Sequence, residues 1–297
     1  MANLKEIRTR IDSVQSTEQI TTAMRMVSAS KLRKAQQAFS AIQPYSDALF
    51  GISQDMSDFL KEEKPVHNPK SNNELEQVLL VVFSSNKGLC GPFNMNAVRY
   101  VQELVKTTYR QHLEKGKLHI IAVGKKAGEI FEKQKLPVIA HRHNLLNQLH
   151  HKDIFELSGY LFDQFQQDAY QKIILIYNKF KTVLTQELTA LQFLPILPPP
   201  ERKEKRQLPP DFIMEPDRES VIQWLYPRML EITLYRILLE SMASEEGARM
   251  TAMQQASDNA AALLKELKVS YNKARQAAIT NELLEIIAGS EALNKLK

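Results

Sequence analysis

Carboxylates are missing from the whole stretch Gln19 to Ser46, which carries Arg25, Lys31, Arg33 and Lys34. A solvent-facing helix mixes both signs of charge, so this segment expects surroundings other than water. Cysteine is nearly absent. Cys90 alone excludes an intramolecular disulfide and leaves a cysteine-based zinc site without ligands. No apolar run approaches the roughly 18 residues that span a bilayer. The opening "MANLKEIRTRIDSVQ" lacks both a signal-peptide h-region and the acid-free bias of a transit peptide. The expectation is a mature chain that starts near Met1 and works where it was made. Proline is absent before Pro44 and after Pro227, and only Gly247 and Gly289 interrupt the residues beyond Pro227. Helix breakers are therefore concentrated in the middle. What remains is average for a soluble protein of 297 residues: 43% hydrophobic, 25% charged, net charge +5. That charge permits an acidic partner but is weak support for nucleic acid.

The N-terminal segment places Leu4, Ile7, Ile11, Val14, then Ile20, Met24 and Val27 on one narrow seam. The register is expected to slip near Thr17, and Pro44 to bend or end the helix. In the middle, "VLLVVFSS", "LHIIAVG" and "KIILIYNKF" read as strands buried on both faces. Amphipathic helices are expected between them, around Ala97–Glu114, Lys126–Gln134 and Ile154–Gln167. That alternation predicts an open, mostly parallel sheet under helices. "TVLTQELTALQFLP" alternates like an edge or antiparallel strand, "LPPPERKEKRQLPP" is a proline-rich loop, and "DFIME" could be one more strand. From Arg228 onward a helix is expected, with a break near Gly247 possible. Its seam is Met253, Ala256, Ala260, Leu263, Leu267, Ala274 and Ala278, small enough for close backbone approach.

Length argues for an extended pair. About 70 helical residues reach roughly 100 Å, and the last fifty alone about 75 Å. A compact globule of this chain length is only roughly 50 Å across. The two ends should pair antiparallel and leave the α/β body, sheathed by a second protein that offers apolar and acidic surface. A solvated coiled coil used only to dimerise is the bland alternative.

The chemistry-bearing residues are few. "SSNKGLCGPFN" (Ser84–Asn94) joins a strand to a helix but has neither GxGxxG nor GxxxxGK[ST] spacing, and "VGKKAGE" lacks the same frame. Tight strand–helix turns explain both. No activating His is marked for Cys90, which reads as a small buried apolar group. His141, His143, His150 and His151 lack metal spacing and read as a solvated loop. The basic run "KLRKAQQ" lacks the aromatic interleaving of a nucleic-acid binder and the bulky apolar face of a membrane helix. No catalytic residue, cofactor site or metal site is picked out.

"IRTRIDSVQSTEQITTAMRMVSASKLRKA" resembles the N-terminal helix of the gamma subunit of F-type ATP synthases. "SSNKGLCGPFN" resembles that family's characteristic turn, with Lys87 where Arg is common. "MTAMQQASDNAAALLKELKVSYNKARQAAITNELLEIIAGSEAL" resembles its C-terminal helix, with Ser290 where Ala is usual. The resemblance implies an antiparallel two-helix coiled coil from both termini around a mostly parallel, Rossmann-like α/β domain. Residues 1–60 would be the N-terminal helix, 61–217 the central foot and 218–297 the C-terminal helix. It implies a non-catalytic rotor that couples proton-driven c-ring rotation to conformational cycling of the beta subunits. Its partners would be alpha, beta, epsilon and the c-ring, with no nucleic acid and no nucleotide of its own. By resemblance, Met24, Arg25, Lys31, Arg275, Gln276 and Thr280 meet beta, and Phe212, Met214, Glu215 and Asp217 lie in the foot near epsilon and the c-ring. The expected location is peripheral, on the cytoplasmic face of a bacterial inner membrane. A chloroplast-type dithiol switch needs two cysteines and is not expected. The rival reading is a stand-alone α/β nucleotide-binding protein with a helical dimerisation arm.

Overall fold

The computed structural model describes residues 4–60, 75–146, 150–196, 215 and 217–294. The proposed strand "DFIME", with Phe212 and Met214, and the proline-rich loop lie outside the described residues except for Glu215. The chain divides into two compact units: Met1–Val27 with Met250–Lys297, and Ser28–Arg249.

The larger unit is built on β1 (Val78–Phe83), β2 (Leu118–Val123), β3 (Val138–His141), β4 (Lys172–Phe180) and β5 (Gln186–Leu194). Their order is β3-β2-β1-β4-β5, parallel throughout except that β5 runs antiparallel to β4. β1 is buried at every position, because helices cover both faces of the sheet. Val78, Leu80, Val82, Ile120 and Ile176 pack under α2 (Phe93–Thr107) and α4 (Lys125–Lys133). Leu79, Val81, Phe83, Ile121 and Leu175 face α5 (His151–Gln166) and the long helix α6 (Arg218–Asn294). The expected helix around Ala97–Glu114 is interrupted at Thr108, and Arg110–Glu114 forms the separate short helix α3.

Three local expectations change. First, α1 is one helix, Leu4–Leu60, that runs through Pro44. Pro44 forfeits one backbone donor, but contacts just beyond it hold the helix. Ser46 accepts from Arg236 at 2.9 Å, and Leu49 is buried with Leu225, Met229 and Ile232. Second, α6 starts at Arg218, passes through Pro227 and continues unbroken past Gly247. Third, the histidine segment is not simply a loop. His141 ends β3 and His151 opens α5, while His150 immediately precedes that helix. β3 escapes a period reading because it has four residues and is only half buried.

The smaller unit pairs the first turns of α1 with the last turns of α6. Thr22 lies 2.9 Å from Ser257 and Arg25 donates to Gln254, so the chains run antiparallel. Along α1 the least exposed positions are Leu4, Ile7, Ile11, Val14, Glu18, Thr21, Arg25, Ser28, Leu32 and Ala35. They alternate steps of four and three, so no slip occurs near Thr17. The seam turns polar after Val14, which hid it. Ile20 and Val27, expected inside, stand 60% and 56% exposed. On α6 the seam is as expected, with Leu264 more deeply buried than Leu263.

Candidate functional site

Polar seam residues need partners, and they have them. Thr21 donates to the Glu18 carbonyl within its own helix, Thr22 meets Ser257, and Arg25 bonds Gln254. Arg25 is thus tied to the opposite helix. Met24 beside it is half buried. Lys31 is exposed and sits 3.7 Å from Glu246. Arg275, Gln276 and Thr280 are all exposed on α6, the Thr280 hydroxyl bonding the Gln276 carbonyl at 2.9 Å. Below them Ile279, Leu283, Leu284, Ile286 and Ile287 are each about half exposed or more. Such a run of large apolar side chains is unusual for a surface in water. The six residues first singled out are therefore not one cluster; they are spread along the two helices. Of the foot residues, Glu215 and Asp217 are exposed. Asp217 caps α6: its carboxylate accepts from the Ser220 backbone N–H at 2.9 Å and from the Ser220 hydroxyl at 2.8 Å.

The turn after β1 is a self-satisfied knot. The Ser85 N–H donates to Asn94 Oδ1 at 2.9 Å, the Ser85 hydroxyl to the Lys87 carbonyl at 2.6 Å, and the Asn94 amide to Ser85 Oγ at 2.7 Å. Cys90 is buried beneath it, and burial pushes its thiol pKa up. Burial and a raised pKa both disfavour the thiolate, and Cys90 packs with Phe93 and Ala248. Leu89 at the tip has φ of +63° and is 61% exposed. Positive φ at a leucine is uncommon and costs conformational energy that the surroundings must hold.

Charged residues that sequence reading passed over lie on α6 near this turn. Arg249 is buried, 2.6 Å from Glu245 and 3.0 Å from Glu246, and reaches the Lys87 carbonyl at 3.3 Å. Burial alone would lower the Arg249 pKa, but the two carboxylates keep it raised and the group charged. The only hint in the sequence was the helical spacing of Glu245 and Arg249, which exposed helices also show. The histidines gain a carboxylate neighbour from elsewhere in the chain: His141 Nε2 is 2.7 Å from Glu132 Oε1. Among the described residues no group of three His, Cys, Asp or Glu side chains could hold a metal ion. None of their helices is long and apolar enough to cross a membrane.

Helical chain ends paired with each other, together with a doubly wound sheet, define a class of helix-presenting scaffold proteins. A family model described as ATP synthase matches residues 3–293. The chain is 44% identical over 295 residues to an ATP synthase gamma chain of Flavobacterium johnsoniae, covering 99% of this chain and 100% of that one. It is 39% identical to one of Chlorobium phaeobacteroides, covering 99% of each. Among solved structures, a chain of the Euglena gracilis mitochondrial ATP synthase OSCP/F1/c-ring assembly matches with a TM-score of 0.65 at 20% identity, covering 98% of this chain and 94% of that one. At that identity the likeness speaks for the fold. The chain belongs to the ATP synthase gamma-chain family. It is a non-catalytic central-stalk subunit of that complex, a peripheral part of a membrane-bound assembly. Matches over the full length leave no support for the rival stand-alone nucleotide-binding reading.

Proposed function

We propose that this chain is the shaft against which the beta subunits of the catalytic ring change state as the c-ring turns. Alpha completes the ring, and epsilon joins this chain in the foot. In this division residues 1–60 and 218–297 serve the shaft and 61–217 the foot, on the cytoplasmic face of a bacterial inner membrane. The observation that carries the reading is the outer face of the paired helices. It combines unpartnered apolar side chains (Ile20, Val27, Ile279, Leu283, Ile286) with an acid-free N-terminal stretch. A sleeve of apolar and acidic surface satisfies both.

A ligand shifts an equilibrium only through unequal affinity for the two states. One asymmetric shaft inside a near-threefold ring touches each beta subunit differently, and so biases three sites differently. It must also not bind any one angle deeply. Small or flexible side chains such as Met24, Thr280 and the alanines offer contact without a deep lock. Lys31 and Arg275, both exposed, add cations whose surface pairs contribute about 0–1 kcal/mol each. Arg25, half buried and bonded to Gln254, is assigned to the beta side with Met24. Gln276, exposed next to Arg275 in the chain, adds a hydrogen-bonding group. In the foot, Phe212, Met214, Glu215 and Asp217 are assigned to the epsilon and c-ring side.

Co-expression with alpha and beta subunits, followed by a size measurement, tests the reading. The expected result is one particle that contains all three. A chain that elutes only by itself, or only as its own dimer, overturns it.

A further inference from the structure

A doubly wound sheet offers its ligand crevice outside the carboxyl ends of the strands, where the strand order reverses. Here that point lies between β1 and β4. The turn Ser84–Asn94 follows β1, and Asn178 lies near the end of β4. Both are engaged by one stretch of α6. The fully buried Ser244 donates its hydroxyl to the Asn178 carbonyl at 2.8 Å. One helical turn on, Ala248 packs on Cys90 and Phe93 beneath the β1 turn. Arg249 then reaches the Lys87 carbonyl.

A helix that merely covers a sheet needs leucine at this depth. Here it carries a guanidinium whose side chain is only 8% exposed, flanked by Glu245 and Glu246 at 14% and 11%. Buried charge is costly unless it is paired and hydrogen-bonded. A planar guanidinium fork is the side chain able to hold two carboxylates and a carbonyl together. The Lys87 carbonyl it approaches also accepts from the Ser85 hydroxyl, the centre of the turn's own network. The cation is therefore placed where it acts on the turn.

We propose that Arg249 is a positioning residue. It sits at the strand-order switch point and, through the Lys87 carbonyl, fixes the β1 turn to α6. Leu89 at positive φ and Lys87 are held at the tip of that turn in one presented shape. The sheet then cannot slip against the shaft helix when torque passes between them. This last clause rests on the rotor reading; the locking of the turn does not.

The test uses the intact membrane-bound complex carrying Arg249→Gln. Amide hydrogen exchange from Asn86 to Gly91 should speed up about tenfold, while β2 keeps its wild-type protection. Proton pumping per ATP hydrolysed should fall at least about twofold, with hydrolysis itself largely kept. A purely structural defect would lower assembly or both activities together and leave that ratio alone. Should the glutamine variant not assemble, Arg249→Lys takes its place. It keeps the charge between the carboxylates but cannot span all three acceptors. Unchanged exchange in the turn overturns the lock. Faster exchange with an unchanged pumping ratio overturns its role in coupling. A wild-type complex that hydrolyses ATP without pumping points instead to failure of the rotor reading.

Discussion

Glu240 shows how a single side chain on α6 can be read in free energy. Burial raises its carboxyl pKa, opposed by Lys179, by Arg236 and by a hydrogen bond to Tyr177. Burial likewise pushes the Tyr177 hydroxyl up. A carboxyl whose folded pKa exceeds its unfolded value binds more protons in the native state. Its contribution is then fully present below the unfolded value and is lost as pH rises through the folded one. Glu240→Gln cannot ionise. Its melting temperature, relative to wild type, should therefore climb as pH rises above the ordinary glutamate value of about 4.3. Parallel curves for the two proteins would contradict the assignment. At this scale the sequence was informative about Cys90, which reads as a small buried group and is buried beneath the β1 turn. It was silent about Arg249, because nothing local distinguishes a buried Glu–Arg pair from a solvated one.

The helices show where pattern reading succeeds and where it slips. Two long helices, three buried strands and one alternating strand were legible from period and β-branching. Hydrophobicity marks the α1 seam only as far as Val14, while the seam itself continues through Glu18, Thr21, Arg25 and Ser28. Those groups are tolerated by hydrogen bonding, which a count of apolar residues does not register. The two α1 registers make opposite predictions at Val27, whereas Ala260 lies in the α6 seam under both and serves as the control. Ala260 is 8% exposed in the seam, so Ala260→Leu should overpack it and cost about 1–3 kcal/mol. Val27 lies outside the seam, so Val27→Gln should change stability by less than about 0.5 kcal/mol. Urea midpoints of the two variants decide between the registers. A large loss from Val27→Gln would restore the first one.

At the scale of the molecule, the decisive surfaces are the helical faces left unpartnered by the chain itself. Arg275 and Gln276 are exposed and hold up nothing in the fold that their removal would collapse. The double variant Arg275→Ala with Gln276→Ala should therefore assemble normally and pump fewer protons per ATP, a difference read in inverted vesicles. Full pumping in that variant would remove these two residues from the coupling contact. By itself, the sequence determined which stretches become helix and strand and which surface wants a partner. Those are consequences of period, breaker placement and charge, and all three are local. Only the tertiary structure decided that β3 joins the sheet and that polar groups continue the α1 seam. It alone decided that Ser244 reaches the Asn178 carbonyl and Arg249 the Lys87 carbonyl. Each of these depends on which groups distant in the chain become neighbours, and a buried polar contact is stable only once both partners are in place.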